Sequence, residues 1–298
     1  MKPFILFCKS YRNDVLRAKR LLESIVQFNV DHIPTYISVP ETDIEIFKET
    51  IPWSTLNGMG RGEFHLITDE QIVLSNPKSS LETYRSMSGY LNQQVIKSEI
   101  WRLVPCESYL CLDSDSYFIR EFKLSNFIHA DGAPFSLLHD ASGLLDLAKK
   151  LHKHKVIANF QKDCDAMRME FHREGHNYEF GPAPLLWSSK VWQALDEQYL
   201  TPRQETLWQA IQRLPHEIKW YGEALLKFKP IPIHPIGPLF QVIHYDWQKK
   251  ALKNEDMSQY LGVVSQSNWD KDLDPAFARK PFLSRLWRKV KYFIHNGF

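Results

Sequence analysis

Residues 89–122, which read GYLNQQVIKSEIWRLVPCESYLCLDSDSYFIREF, decide the fold class predicted from this sequence. A stretch with helical spacing ends before Pro105, and the apolar run YLCL then leads directly into Asp113 and Asp115. Because paired carboxylates are rare inside a strand, we expect a buried strand to end here. Its two acids would then lie at the carboxyl edge of a sheet, where open α/β sheets bind ligands.

The two aspartates point to a divalent cation. Two carboxylates this close together repel each other and raise each other's pKa, and a bound cation removes that cost. Hard ions such as Mg²⁺ and Mn²⁺ prefer carboxylate and phosphate oxygens. Asp113 and Asp115 are therefore predicted metal ligands, and the plainer alternative is a turn that carries two solvated acids.

The segments on either side extend the pattern to a helix-covered sheet. FILFCKS (4–10) and PTYISV (34–39) are typical of buried strands, and helices are predicted at 13–29 and 41–51. This βαβα beginning predicts a parallel sheet. We expect strands near 64–68, 133–140 and 239–244, a loop at 53–64, and mostly helix over 141–175, 190–214 and 216–228.

Composition agrees with a globular protein. The 298 residues are 44% hydrophobic and 24% charged, with a net charge of +2. No pair of cysteines has Cys-x-x-Cys spacing, so we expect reduced core thiols at Cys8, Cys106, Cys111 and Cys164. The beginning MKPFILFCKS has too short an apolar run for a signal peptide, which predicts a cytoplasmic protein.

Together, the helix, the strand and the Asp-Ser-Asp motif resemble the GT-A glycosyltransferases. QQVIKSEIWRLVPCESYLCLDSDSYF (93–118) resembles an uncharacterised bacterial family of predicted glycosyltransferases. The resemblance implies a GT-A-like, Rossmann-related mixed sheet covered by helices, with a helical C-terminal elaboration. It also implies that the aspartates bind a metal, Mn²⁺ or Mg²⁺, which bridges the diphosphate of a nucleotide sugar.

The resemblance further implies that the loop after the first strand meets the nucleotide base. In CKSYRND this loop offers Ser10, Tyr11 and Asp14 as donor-binding residues, and a simple helix cap is the alternative. Gln93 and Lys97 are one helical turn apart and face the same way. We expect Lys97 to meet phosphate and Gln93 to meet the ribose or base, unless the two belong to a solvated helix face. Asp113, nearer the buried end of the strand, is also a candidate for contact with the ribose or sugar.

Other candidates lie later in the chain. Many GT-A enzymes use a late histidine as the third metal ligand, which implies His244, with His234 as its competitor. An inverting transfer needs a general base, and an acid before a Tyr-Gly step in related families favours Glu217 over Glu223. Further candidates are His139 for sugar contacts and Asp140 as a catalytic acid.

Residues 279–298 carry six lysines or arginines and no acid, interleaved with apolar residues. This pattern is typical of an amphipathic helix that binds anionic lipid, here on the cytoplasmic face of the inner membrane; packing on the body is the alternative. We therefore expect one catalytic domain over 1–278, with 1–140 as the nucleotide-sugar-binding half and 141–278 as the acceptor-side half. The basic tail 279–298 would follow it.

The sequence thus predicts a metal-dependent hexosyltransferase-type enzyme. It would move a sugar from a nucleotide diphosphate donor, UDP in the first instance, to a surface glycan or glycolipid such as lipopolysaccharide core or capsule. Two alternatives stay open at this stage. One is a nucleotidyltransferase or phosphotransferase with the same acidic site, and the other is a non-catalytic membrane or nucleic-acid adaptor that uses the basic tail. We expect no nucleic-acid partner for the favoured enzyme.

Overall fold

A five-stranded mixed sheet forms the centre of the chain in a computed structural model that describes residues 2–150, 152–243 and 256–266. Its strands are β1 (Lys2–Lys9), β2 (Thr35–Val39), β3 (Phe64–Thr68), β4 (Cys106–Asp113) and β7 (Leu185–Ser188). They lie in the order β3-β2-β1-β4-β7. The first four are parallel to one another, and β7 runs antiparallel to β4. The mixed α/β class with helices on the sheet is therefore confirmed.

Strand alternation divides the core into two layers, one on each face of the sheet. Ile5 and Phe7 of β1 join Tyr109 and Cys111 of β4 in one cluster. The residues between them, such as Leu6, lie in the other cluster. These strands are buried on both faces, which explains why they read as continuous apolar runs instead of alternating ones.

Eleven helices have bounds within the described ranges. They are α1 (Val15–Phe28), α2 (Ile44–Thr50), α3 (Trp53–Gly58), α4 (Asp69–Ser75), α5 (Leu81–Ser86), α6 (Gly89–Leu103), α7 (Ser142–Lys150), α8 (His154–Glu170), α9 (Ser189–Leu195), α10 (Leu207–Arg213) and α11 (Glu217–Phe228). The prediction of a loop throughout 53–64 is wrong, because α3 occupies its first half. The turn follows only at 59–61, where Gly60 adopts a positive φ of 64°.

A second, three-stranded sheet begins directly after the two aspartates. It consists of β5 (Ser116–Phe118), β9 (Phe240–Ile243) and β10 (Gly262–Ser265), in the order β5-β10-β9. β10 is antiparallel to β5 and parallel to β9. The expected strand near 239–244 is therefore confirmed as β9. The expected strand at 133–140 shortens to β6 (Ser136–Leu137), which pairs in parallel with β8 (Pro235–Ile236).

Some predictions fall outside the described residues, namely the ligand His244 and the basic tail 279–298. Within the part of the chain that the structure covers, no helix is both long and apolar enough to cross a bilayer. All four cysteines are buried free thiols, as expected.

Candidate active site

The carboxyl ends of β1 and β4 open into a cavity of about 680 Å³. The cavity brings together seven of the residues predicted from the sequence, which are Ser10, Tyr11, Asp14, Gln93, Lys97, Asp113 and Asp115. A second cavity, of about 580 Å³, lies at the amino ends of the strands beside Phe4, Pro34 and Glu63. Because parallel sheets bind ligands at their carboxyl edge, the first cavity is the candidate active site.

Lys97 and Asp113 form an ion pair at the floor of this cavity. The Lys97 ammonium donates to Asp113 Oδ1 at 2.5 Å, and the lysine side chain is almost fully buried. Helix α6 and strand β4 thus supply one charge each. Burial opposes the charge on Lys97, but the carboxylate of Asp113 outweighs that effect and raises the pKa of Lys97 above its ordinary value. Lys97 therefore stays protonated, and the pair as a whole is neutral.

Asp14 holds the turn between the two aspartates. Its Oδ2 accepts a hydrogen bond from Ser114 Oγ at 2.9 Å. Its Oδ1 accepts from Arg17 Nη1 at 2.5 Å, one turn along the helix that begins at Val15. Both Asp14 and Arg17 are buried. The contacts of Asp14 therefore fix the Asp-Ser-Asp turn against α1.

Asp115 is placed by backbone contacts with the second sheet. The Ser265 amide donates to the Asp115 carbonyl at 2.9 Å, and Ser265 pairs in register with Ile243 of β9. β9 is the strand that precedes His244 in the chain. Arg20 lies with its guanidinium 4.5 Å from the centroid of the Tyr117 ring and donates to the Asp115 carbonyl at 3.5 Å. Residues 113–115 are thus held from both sheets.

The oxygen ligands that this site offers fit a hard divalent cation. Asp113 and Asp115 are half-buried carboxylates that line one cavity, with the hydroxyl of Ser114 tied back to Asp14 between them. Oxygen donors of this kind suit Mg²⁺ and Mn²⁺. A cation at Asp113 would replace the ammonium of Lys97 as the partner of that carboxylate.

A buried carboxylate that the sequence analysis did not identify lies beside β1. Asp69 accepts a hydrogen bond from Tyr84 OH at 3.0 Å and forms an ion pair with Lys9 at 2.9 Å. Ser38 Oγ also donates to it. The Thr68–Gln71 capping box is readable in the sequence and marks the start of α4. The capping box does not show that Asp69 is buried. Nor does it show that Asp69 pairs with Lys9, which lies two strands away in the sheet.

Among the buried polar atoms that line the cavity are a hydroxyl and an amide oxygen that make no hydrogen bond to the described residues. These are Ser10 Oγ and Asn92 Oδ1. The amide nitrogen of Asn92 is used, since it donates to the Tyr84 carbonyl at 2.9 Å. Buried polar atoms are normally satisfied, so atoms of this kind at a cavity wall are suited to a polar ligand. Tyr11 and Tyr90, both exposed, add aromatic rings to the same cavity.

The candidate catalytic acids are separated by the structure. Glu217 is not among the residues that line the cavity, but its charge acts on Lys97 and Tyr90, which do line it. Its own pKa is raised by burial, against the lowering effect of Lys97. Glu223 faces elsewhere on α11 and forms a two-point ion pair with Arg173, at 2.6 and 2.8 Å.

The remaining candidates do not line this cavity. Asp140 is exposed and accepts from the Ser142 amide at 3.0 Å, at the start of α7. The His139 ring contacts the Gly181 carbonyl. His234, the competitor of His244, contacts Asp131 at 2.7 Å.

Comparison with known proteins places the chain in a family. One family's sequence profile matches residues 3–273. The chain belongs to this family, a family of unknown function (DUF6492). No curated protein matches the sequence of this DUF6492 member.

Two solved structures are similar to it. Mouse xyloside xylosyltransferase 1, in its apo form, is 9% identical with a TM-score of 0.46, over 89% of this chain and 98% of that one. The galactosyltransferase LgtC, in complex with donor and acceptor sugar analogues, is 12% identical with a TM-score of 0.46, over 95% of this chain and 99% of that one. At these identities and scores, neither match assigns an activity to this DUF6492 protein.

Proposed function

We propose that this DUF6492 protein is a metal-dependent glycosyltransferase that takes a sugar from a nucleotide diphosphate donor. One observation carries the proposal. The cavity at the carboxyl edge of the sheet combines two carboxylates for a cation, a buried lysine and two exposed tyrosines. Its volume of about 680 Å³ lies within the range of about 300–1,000 Å³ that is usual for small-molecule sites.

The leaving nucleoside diphosphate is the main electrostatic problem of such a transfer, because negative charge develops on it as the sugar leaves. A divalent cation held by Asp113 and Asp115 would act there as a Lewis acid. Lys97, which pairs with Asp113 here, would donate its ammonium to a phosphate oxygen of a bound diphosphate. Lys97 thereby adds a preorganised positive charge where the diphosphate develops its own.

The nucleoside would bind beside the loop after β1. Tyr11 offers a face for stacking on a base, and Ser10 Oγ and Asn92 Oδ1 offer a donor and an acceptor that the described residues do not use. Gln93 lines the same wall, one turn from Lys97. We assign Asp14 a positioning role, since Ser114 and Arg17 already occupy both of its oxygens.

Among the predicted acids, Glu217 is the one we propose as the base. Its charge acts on Lys97, and its burial raises its pKa toward the range in which a carboxylate works best as a base. Glu223 is held by Arg173, and Asp140 accepts a hydrogen bond at the start of a helix, so neither is proposed. Retention of configuration would need no base and would make Glu217 a bystander.

Several finer parts of the proposal rest on the sequence. UDP as the nucleotide, a saccharide or lipid-linked saccharide as acceptor, and His244 as third ligand are carried by the resemblance to GT-A enzymes. The division into a catalytic body and a basic tail that binds anionic lipid is carried by the charge pattern of 279–298.

Calorimetry with UDP, GDP and ADP tests the proposal. At least one nucleotide should bind in the presence of Mn²⁺ or Mg²⁺ and lose most of its affinity in Asp115→Ala. Asp146→Ala is the matched control, because Asp146 is an exposed acid paired only locally with Lys149. Unchanged nucleotide affinity in Asp115→Ala would contradict the metal assignment. If no nucleoside diphosphate bound with metal, the glycosyltransferase proposal would fail.

A further inference from the structure

Two histidines and an aspartate converge on the surface, among residues that take no part in the cavity described above. His129 and Asp131 lie in a tight turn, and His234 directly precedes β8. One ligand atom from each lies within 4.8 Å of the other two. The sequence separation between Asp131 and His234 is 103 residues, so the fold brings this set together and local spacing does not.

Backbone hydrogen bonds fix the two segments that carry the three side chains. The turn is closed by the His129 amide, which donates to the Ala133 carbonyl, and by the Gly132 amide, which donates to the His129 carbonyl. His234 is fixed because its carbonyl accepts from the Ser136 amide, next to the pairing of β6 with β8. The rings of His129 and His234 stack with centroids 3.6 Å apart. The cluster is therefore already assembled.

The contacts among the three groups resemble the edges of a coordination shell. His129 Nδ1 lies 3.1 Å from Asp131 Oδ1, and His234 Nε2 lies 2.7 Å from Asp131 Oδ2. Around zinc, ligands at about 2.0–2.2 Å in a tetrahedron are roughly 3.3 Å from one another. The two rings contact different oxygens of Asp131, and the single ligand atoms of the three residues lie within 4.8 Å of one another, so a cation could enter the cluster with side-chain shifts of up to about 1.5 Å.

We propose that His129, Asp131 and His234 bind one Zn²⁺ ion, at a site separate from Asp113 and Asp115. Imidazole nitrogen suits zinc better than it suits Mg²⁺, and three protein ligands leave a fourth position for water or an exogenous ligand. An aspartate side chain is ionised at neutral pH, and the Asp131 oxygens already contact both rings. All three side chains are partly exposed, so the ion can enter from solvent.

Zinc at this position would join the turn 129–132 to the segment before β8. Those two segments already meet through the short β6–β8 ladder. A ligand that binds only the folded chain stabilises it by mass action, so zinc should raise the melting temperature. The site does not depend on the proposed enzyme activity, because it shares no residue with the cavity.

Titration of the full chain with Zn²⁺ in excess Mg²⁺ tests this site. The wild type should bind zinc and gain thermal stability. Both effects should be lost in His234→Ala and in Asp131→Asn, with affinity lower by more than the roughly 10–100-fold typical of outer-shell partners. Binding should also weaken as the pH falls, because the histidines must be neutral to bind zinc.

Two controls separate this site from other effects. His65→Ala removes a histidine that pairs with a single acid, Glu63, and should leave zinc affinity unchanged. Asp115→Ala should also leave it unchanged, even if that variant no longer binds nucleotide. If His129→Ala and His234→Ala, folded by circular dichroism, bound zinc as tightly as the wild type, the assignment would be overturned.

Discussion

Lys97 Nζ lies 2.5 Å from Asp113 Oδ1, and this contact joins the helix before the Asp-Ser-Asp turn to the strand that ends in it. The lysine side chain is buried, so Lys97 could not hold its charge as well without the carboxylate of Asp113. The pair gives the cavity both a cation for phosphate and a carboxylate for metal.

Lys97→Met keeps most of the side-chain volume and removes the ammonium. We expect turnover of the nucleotide sugar to fall by about 10²–10³-fold, the loss that follows removal of one preorganised donor to a developing charge. Single-turnover rates with the wild type and the variant would measure it. Lys48→Met, on an exposed lysine that pairs with Glu45, is the control and should keep its rate. Equal rates in the wild type and Lys97→Met would contradict the role of Lys97.

Ser114→Ala and Asp14→Asn test the anchoring of the turn. Loss of the Ser114 hydrogen bond should cost about 0.5–1.5 kcal/mol of unfolding free energy and weaken metal binding. Asp14→Asn removes the carboxylate from the buried Arg17 and should cost about 3–5 kcal/mol. Urea unfolding of both single variants and the double variant would give the coupling energy, expected at about 0.5–3 kcal/mol. Full additivity would mean that Asp14 does not hold the turn.

Lys9→Met tests the buried pair with Asp69. Asp69 is fully buried, so loss of the lysine leaves its charge without that cation and should cost about 3–5 kcal/mol. Tyr84→Phe removes only a hydrogen bond to the same carboxylate and should cost about 1 kcal/mol. Denaturant midpoints would rank the two variants. A loss in Lys9→Met no larger than that in Tyr84→Phe would refute the ion pair as a structural element.

The pH profile tests Glu217. Burial raises the pKa of Glu217, so its midpoint should lie above the usual value of about 4.3. A base works as the carboxylate, and activity should therefore rise with pH through that raised pKa. In Glu217→Gln this acidic limb should disappear. Glu223→Gln, which breaks the contact with Arg173, should keep the limb. A limb that survives in Glu217→Gln would exclude Glu217 as the base.

Local sequence patterns predicted the sheet and part of the cavity lining. The other features of the site depend on contacts between residues that are far apart in the sequence. The apolar runs of β1 and β4 and the helical spacing before Pro105 were enough to place Lys97, Asp113 and Asp115 at one edge. The resemblance implied that Asp14 meets the base, and the contact of Asp14 with Ser114, which lies 100 residues away, was not predicted. No local pattern reports such a contact.

The candidate catalytic acids also show which features the local sequence predicts and which depend on long-range contacts. Glu217 and Glu223 were both identified as candidates from the sequence, but Arg173 could not be identified as the partner of Glu223. The His129–Asp131–His234 cluster was missed because its members meet only in the fold.

A crystal structure of the full chain with Mn²⁺ and UDP is the most direct test of the central claim. We expect the anomalous signal of manganese beside Asp113 and Asp115, the diphosphate between the ion and Lys97, and the base against Tyr11. Manganese found only at His129, Asp131 and His234, or nucleotide bound outside the cavity between β1 and β4, would contradict the account.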